Sequence, residues 1–515
     1  MHHPNRMTRI SCTPVDHAQK SYQGILKSTA LLGSARLMTM VIGMARVKVL
    51  AVLIGPIGIG LIGTYEVLVT MAFYIFGLGV QASGVRQVAI ASSQQDAGRI
   101  ARTMTALRRL SWSLGLLGSL VVGASAWKIS SLTFKDPRHG VDILILSPAI
   151  LLTSIYSGGM AIVQGCQRIA DLAKITVLSS IGQAVSVVVF VYFIGERGIA
   201  WSFVAGGSFS LLICRWIIKG MALPKHQSTW ASSVEEGRVL IKLGLGLTNA
   251  LLLSTLLAYA VRSLIARDLG LEAVGIYLCA YGLSGKFIGF LLDAMQTDFY
   301  PRLSAVAHDH EDLNRLVNQQ TEIVLLMAMP GLLATLAFAP WLIRLFYSGA
   351  FAGATVLLRW FILGCLVRVI YAPIAFVQLA KGRSLLYFLS EAFIYLSSFT
   401  VTFFLLKAFG LRGAAASYLV GNLFQTIVLL AISRRLTGFK WSSHVVHFLL
   451  IFVSISTACV LASFVLSDVQ AALLCASVAA AVSLYCMHQL AARLGPDHRV
   501  SRFLARFGFL GTPLG

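Results

Sequence analysis

Apolar residues in this chain fall in long unbroken runs of helical length, separated by short polar or basic breaks. A membrane-crossing helix needs about 20 mostly apolar residues. Runs that meet this lie near 25–54, 61–80, 107–127, 141–163, 175–194 and 199–218. After a basic break they resume near 242–265, 274–294, 323–347, 354–378, 385–406 and 413–432, with two more near 445–467 and 470–490. The pattern predicts an all-α polytopic membrane protein of about fourteen transmembrane helices. Barrel strands would alternate apolar and polar over roughly ten residues between turns. These runs are continuous and rich in Gly and Ala, which excludes them.

The basic residues orient the spans, because Lys and Arg accumulate in cytoplasmic loops. With an even number of spans both termini share a side, and the loops of that side hold twenty-seven Lys and Arg against eight opposite. Both termini are therefore expected in the cytoplasm. The longest connections, near 81–106, 219–241 and 295–322, fall on the same side, and the external loops are too short to form a domain.

Composition agrees: 57% of residues are hydrophobic and 12% charged, against about a quarter charged in soluble domains. A net charge of +22 in a soluble protein would suggest nucleic acid, but here the cations punctuate the ends of apolar runs, so no nucleic-acid partner is expected. The eight cysteines are scattered without a CxxC pair, and no disulfide is expected. The polar first twenty residues lead into no short apolar region with a cleavage site, so no cleaved signal peptide is expected.

An internal repeat is visible. Val47–Gly55 parallels Arg262–Gly270, Gly55 and Gly60 recur as Gly270 and Gly275, and Arg86 recurs as Arg302, at offsets of 215 to 216 residues. Six spans separate the copies, so both face the same way, as in transporters whose site lies between two halves. The organisation expected is a cytoplasmic segment 1–23, a six-helix lobe 24–220, a linker 221–241, a pseudo-symmetric six-helix lobe 242–433, two further helices within 434–490 and a cytoplasmic tail 491–515. The lobes would enclose a central cavity.

Seven cations fall inside the spans: Arg36, Arg46, Lys48, Arg262, Lys286, Arg359 and Arg368. The acidic residues at similar depth are Glu66, Asp293 and Glu391. Each charge costs roughly 2.5–3.5 kcal/mol at mid-membrane on insertion scales, so such residues face a bundle interior or a water-filled cavity. The positive excess predicts a cationic cavity for an anionic ligand, and the planar Arg fork suits phosphate. Bland readings stand beside it. Arg46, Lys48 and Arg359 lie near span ends and can snorkel. Lys286 and Asp293, seven apart, share a helix face and can form a structural pair, whereas Arg359 and Arg368, nine apart, point to opposite faces. Glu66, Asp293 and Glu391 are candidates for H+ or Na+ coupling, or counter-ions to the arginines.

No Walker A loop, HExxH or GxSxG element occurs, and Gly55–Gly60 marks a turn. His308-Asp309-His310-Glu311-Asp312 lacks the i, i+4 histidine pair of a helical metal site. The expectation is a protein without enzymatic activity, metal or cofactor.

The run from Lys48 to Gly63, the segment Gly77-Leu-Gly-Val-Gln-Ala-Ser-Gly-Val-Arg-Gln87 and the segment Asp293-Ala-Met-Gln-Thr-Asp-Phe-Tyr-Pro-Arg-Leu-Ser304 resemble the bacterial O-antigen translocases. These polysaccharide flippases share a superfamily with multidrug exporters and the lipid II flippase. The resemblance spans roughly residues 20 to 440. It implies two lobes in a V around a central cavity, and carriage of an undecaprenyl-pyrophosphate-linked oligosaccharide, an O-antigen or exopolysaccharide repeat unit, from the cytoplasmic to the periplasmic leaflet of the inner membrane. It puts Arg86, Pro301 and Arg302 on cytoplasmic gate motifs and the seven cations where a cationic cavity is expected. Membrane lipids, a coupling ion and other polysaccharide assembly proteins are the partners implied. Rival readings are a lipid II flippase, a multidrug/cation antiporter, which should have an anionic cavity, and a membrane-bound polymerase, which should carry a large periplasmic loop.

Overall fold

The computed structural model describes residues 14–94, 96–221 and 230–494. The first thirteen residues, residues 222–229 of the expected linker and the tail from 495 onward lie outside the described residues, with the loop cations and the uncleaved N-terminus expected there, while the rest of that linker from 230 is already helix.

The first half of the chain forms α1 (Pro14–Leu53), α2 (Gly55–Gly77), α3 (Val80–Ser93), α4 (Ala97–Ala124), α5 (Ala126–Phe134), α6 (Gly140–Gly165), α7 (Ile169–Ile194) and α8 (Gly198–Lys219). The second half forms α9 (Trp230–Leu269), α10 (Leu271–Ala305), α11 (His310–Ala337), α12 (Ala339–Phe346), α13 (Ala354–Ala380) and α14 (Ser384–Thr437). The hairpin α15 (Ser443–Val465) and α16 (Asp468–Leu494) follows, and the described residues contain no strand. The protein is an all-α polytopic membrane protein, as the continuous apolar runs predict.

Length and apolarity alone give ten helical stretches able to cross a membrane among the described residues, or eleven if the bent pair 98–124 and 126–134 is one span. The expected fourteen is not reproduced by that criterion, for visible reasons. Two of the ten, Ile169–Lys219 and Ser384–Thr437, contain 51 and 54 residues. At 1.5 Å per residue each would be roughly 75–80 Å long, against a hydrocarbon core of about 30 Å. The first breaks at the turn Gly195–Arg197 and the second at Gly410, whose φ of 60° is not helical. The helix α1 carries Arg36, Arg46 and Lys48 and is not among the ten.

Polar side chains fix the ends. Asp96 accepts from the Arg99 amide at the start of α4 (2.8 Å), and Asp309 accepts from the Glu311 and Asp312 amides at the start of α11 (2.8 and 3.1 Å). Such caps satisfy amides a helix leaves unpaired. Asn314 and Asn318 on α11 donate to the Thr437 and Lys440 carbonyls at 2.8 and 3.1 Å, anchoring the connection from α14 to α15.

The chain forms two helical lobes. In the first, α4 and α8 pack on α6, and α7 lies between α1 and α8. In the second, α13 is the most enclosed span, set among α10, α11 and α14 with Phe361, Cys365, Val369 and Ile374 fully buried. The α15–α16 hairpin packs on α11. The lobes meet along α2, α9 and α10. We call the side where α1 begins and α16 ends the terminal face, and the side of the α1–α2 and α9–α10 turns the opposite face.

Candidate substrate site

Three adjoining cavities run through the interlobe region. The first lies inside the first lobe, holds about 250 Å3 and is lined by Arg46 of α1, Glu66 and Thr70 of α2, Gln183 of α7 and Ser210 of α8. The second, of about 350 Å3, lies between the lobes, with Glu66 and Thr70 on one wall and Ser254, Thr255, Arg262 and Tyr281 on the other. The third, of about 280 Å3, enters the second lobe and is lined by Arg262, Tyr281, Arg368, Tyr371, Tyr395, Tyr418, Asn422 and Gln425. Glu66 and Thr70 line both the first and second cavities, and Arg262 and Tyr281 both the second and third, so the three adjoin at these side chains. A larger cavity of about 470 Å3 among α2, α3, α4, α6 and α9 has no charged lining residue. The three smaller interlobe cavities are the ones lined by Arg46, Glu66, Arg262 and Arg368.

The structure therefore brings Arg46, Glu66, Arg262 and Arg368 to one path. Among the described residues the buried Arg46 Nε has no hydrogen-bond partner. Arg262 donates across the lobes to the Gly63 carbonyl of α2. Arg368 lies against Tyr418 and Tyr371.

Lys286 and Asp293 share one face of α10, as their spacing predicts, and that face looks toward α1. Lys286 lies within electrostatic range of Arg46, a like charge. Asp293 sits 3.9 Å from Arg36, with the two side chains 66% and 69% exposed. This pair bridges the lobes toward the terminal face and is open to solvent there.

Two of the seven cations turn elsewhere. The Lys48 ammonium donates to the Arg344 and Tyr347 carbonyls at 2.8 and 2.6 Å, closing the C-terminal end of α12. Cations are favoured at helix C-termini, where carbonyls lack intrahelical partners. Arg359 is buried, 3.6 Å from Asp468 in the first turn of α16 and 5.3 Å from the Phe464 ring. Its opposite orientation to Arg368 is the one the nine-residue spacing predicts.

Glu391 is 5% exposed and sits behind the third cavity, among Tyr371, Tyr387 and Tyr395. Arg86 is exposed on α3 at the terminal face. Pro301 and Arg302 are exposed near the terminal-face end of α10, where Arg302 pairs with Asp298 at 2.9 Å.

Sequence reasoning confined to charges missed the tyrosines and amides of the third cavity. Tyr281 and Tyr418 meet edge to face at 5.8 Å between centroids, and the Tyr371 hydroxyl donates to Asn422 Oδ1 at 3.0 Å. The signal was present as polar residues at helical spacing: Tyr277 and Tyr281, Arg368 and Tyr371, then Tyr418, Asn422 and Gln425.

Toward the opposite face the lobes are latched. Asp268 at the end of α9 binds Lys135 of the first lobe at 3.2 Å and Lys407 of α14 at 3.0 Å. Thr133 meets the Tyr259 hydroxyl at 2.6 Å, and Ser348 donates to the Ala51 carbonyl at 3.4 Å.

The family described as polysaccharide biosynthesis protein matches residues 49–355. A Shigella flexneri protein named as an O-antigen transporter is 22% identical over 392 residues, covering 73% of this chain and 90% of the relative. The lipid III flippase of Escherichia coli strain K12 is 23% identical over 394 residues, covering 72% and 89%. Among solved structures, the lipid II flippase MurJ in an inward closed conformation has a TM-score of 0.67 at 15% identity, covering 90% of this chain and 99% of that one. An inward-facing multidrug resistance MATE family transporter of the MOP superfamily has a TM-score of 0.68 at 14% identity, covering 78% and 95%. These structural likenesses establish the fold.

Proposed function

This chain belongs to the polysaccharide biosynthesis protein family, and from that premise we propose that it flips an undecaprenyl-pyrophosphate-linked oligosaccharide from the cytoplasmic to the periplasmic leaflet of the bacterial inner membrane. The observation that carries the reading is the row of adjoining cavities from Arg46 past Glu66 and Arg262 to Arg368, cationic at both ends and walled by tyrosine and amide side chains in the second lobe.

The chemistry divides along that path. Arg262 and Arg368 hold the pyrophosphate, because a guanidinium offers two parallel donors to phosphate oxygens. Tyr281, Tyr371 and Tyr418 with Asn422 receive the sugars, supplying an apolar ring face for C–H groups and polar tips for hydroxyls. The polyprenyl tail stays in lipid while the headgroup crosses. Arg46 and Lys286, like charges on opposite lobes, draw together once an anion lies between them. Glu66 and Glu391 serve as counter-ions, or as sites where H+ or Na+ couples to the cycle.

With both termini cytoplasmic, the latched face is periplasmic and this conformation is the one that loads. Arg86, Pro301 and Arg302 then stand at the cytoplasmic mouth. A headgroup of charge about −2 leaving a cell with an inside-negative potential of about 100 mV gains roughly 4–5 kcal/mol.

A multidrug/cation antiporter of the same fold would want an anionic pocket, and this path holds three arginines to one carboxylate. A lipid II flippase shares the chemistry and is separated by complementation. A polymerase needs catalytic groups outside the membrane. The deciding experiment follows the leaflet that holds the lipid-linked oligosaccharide, using a periplasm-restricted sugar-modifying enzyme, in a deletion strain rescued with wild type, Arg262→Ala or Arg368→Ala at matched levels. Cytoplasmic accumulation in the deletion and both variants supports the proposal. Normal crossing in the deletion strain ends it.

A further inference from the structure

Away from the interlobe path, α4, α6 and α8 enclose a groove of about 720 Å3 near their ends on the terminal face. Gly158 and Gly159 of α6 form its floor, with Arg108 and Trp112 on α4 and Arg215 and Lys219 on α8 as walls. The α6 helix separates it from the first-lobe cavity, which Thr153 and Tyr156 line from another face of that helix. No acidic residue lines the groove. Among the described residues the side chains of Arg108, Arg215 and Lys219 make no ion pair or hydrogen bond, and the one contact they form is Arg215 over the Trp112 ring, 5.9 Å from its centroid.

Three cations gathered at the edge of an apolar slab repel one another until a counter-charge arrives. Apart from Thr105 and Ser111 its other walls are apolar, including Ile155, Leu211 and Ile218. Trp112 and Trp216 face outward, 46% and 70% exposed, as aromatic residues do at the headgroup level of a bilayer. The required occupant carries negative charge at the water end and hydrocarbon at the other. Basic pockets between helices are known to take such headgroups.

We infer that this groove binds an anionic phospholipid of the leaflet at the terminal face, with its phosphate among Arg108, Arg215 and Lys219 and an acyl chain along Ile155 and Ile218. The site is independent of the transported substrate.

The test uses the full chain in nanodiscs and reads quenching of Trp112, isolated as the difference between wild type and Trp112→Phe. Brominated phosphatidylglycerol is compared with brominated phosphatidylcholine at equal mole fraction. Stronger quenching by phosphatidylglycerol is expected, the preference falling roughly fivefold for each of Arg108→Gln, Arg215→Gln and Lys219→Gln. Lys128→Gln, on the opposite face, leaves it unchanged. Lys219→Gln, at the helix end, keeps the readout available should Arg108→Gln or Arg215→Gln unfold. Equal quenching by the two lipids in wild type, or a preference that survives all three substitutions, overturns the inference. The first result leaves the groove without a lipid preference, and the second places the preference elsewhere on the protein.

Discussion

Gly60 on α2 and Gly275 on α10 press their backbones together across the lobe interface: a Cβ on Gly60 would collide with the Leu271 carbonyl, and one on Gly275 with the Pro56 carbonyl. Each contact is the image of the other under the internal repeat, since Gly60 and Gly275 occupy matching places after Gly55 and Gly270. Those two also match, each opening its helix with positive φ, 59° and 88°. Small residues let helix backbones approach closely in a membrane, where packing replaces the hydrophobic effect. Gly63 extends the seam, pressed against Leu278.

If that seam shuts the opposite face, Gly275→Val must hold it open. Overpacking typically costs about 1–3 kcal/mol, enough to shift a two-state equilibrium by roughly 5- to 150-fold. Thr133→Cys, buried at the first-lobe side of the closure, is the reporter. Its reaction with a membrane-impermeant maleimide should accelerate by such a factor in Gly275→Val. An unchanged rate would mean that the lobes do not part along α2 and α10.

The Asp268 latch should act in the same direction more weakly. Asp268 is 15% exposed while Lys135 and Lys407 are 54% and 53% exposed, so solvent screens the pairs and each is worth at most about 1 kcal/mol. Asp268→Asn should raise Thr133→Cys labelling by up to about fivefold, the effect shrinking in high salt. Lys135→Gln should reproduce it, Lys407→Gln, whose pair lies within the second lobe, should give little, and combining Lys135→Gln with Asp268→Asn should add little. Additive effects of Lys135→Gln and Asp268→Asn would show that the pair is not the latch.

How much of this was legible in the chain depends on what a helix face can reveal. The long apolar runs gave the fold class, because nothing but a helix can bury its own backbone in lipid at that length. The repeated glycines gave the internal repeat and marked a turn, but that Gly60 and Gly275 meet across the lobes is visible only in the structure. Charges were less readable. An apolar span tells that Lys48 is a cation at a given depth, yet not that α12 will present open carbonyls to it from 296 residues away. Arg46 and Lys286 stand on helices far apart in sequence, and their confrontation is a tertiary fact. The tyrosines escaped because aromatic residues in an apolar run read as core, and only their register with Arg368 and Asn422 marks them as a pocket wall.

That wall yields a prediction specific to sugars. Tyr281 contacts Tyr277, Phe361 and Tyr418 through its ring, and it lines both the interlobe and second-lobe cavities. Tyr281→Phe keeps the ring face and should retain most transport, whereas Tyr281→Ala should lower it about tenfold or more at matched protein level, consistent with a ring worth roughly 1–3 kcal/mol when buried. The comparison is read as periplasmic oligosaccharide per cell. Equal loss in both variants would move the function from the ring to the hydroxyl.

Arg359 and Arg368 give the sharpest contrast, since they lie on one helix, in one apolar run, and differ only in facing. Arg359 ties α13 to the α15–α16 hairpin through Asp468 and Phe464, while Arg368 faces the polar path. Its guanidinium is only 9% exposed, but Asp468 is 61% exposed and rehydrates when released. Arg359→Met should therefore loosen the hairpin by no more than about 1–2 kcal/mol, seen as a lower Tm, with transport per folded molecule unchanged. Arg368→Met should do the reverse. It removes a buried charge with no carboxylate to orphan, so the Tm holds or rises, while transport falls to the level of the empty strain. Loss of transport in Arg359→Met at matched folded protein would show that the hairpin belongs to the transport path, and retention in Arg368→Met would remove the second-lobe cavity from it.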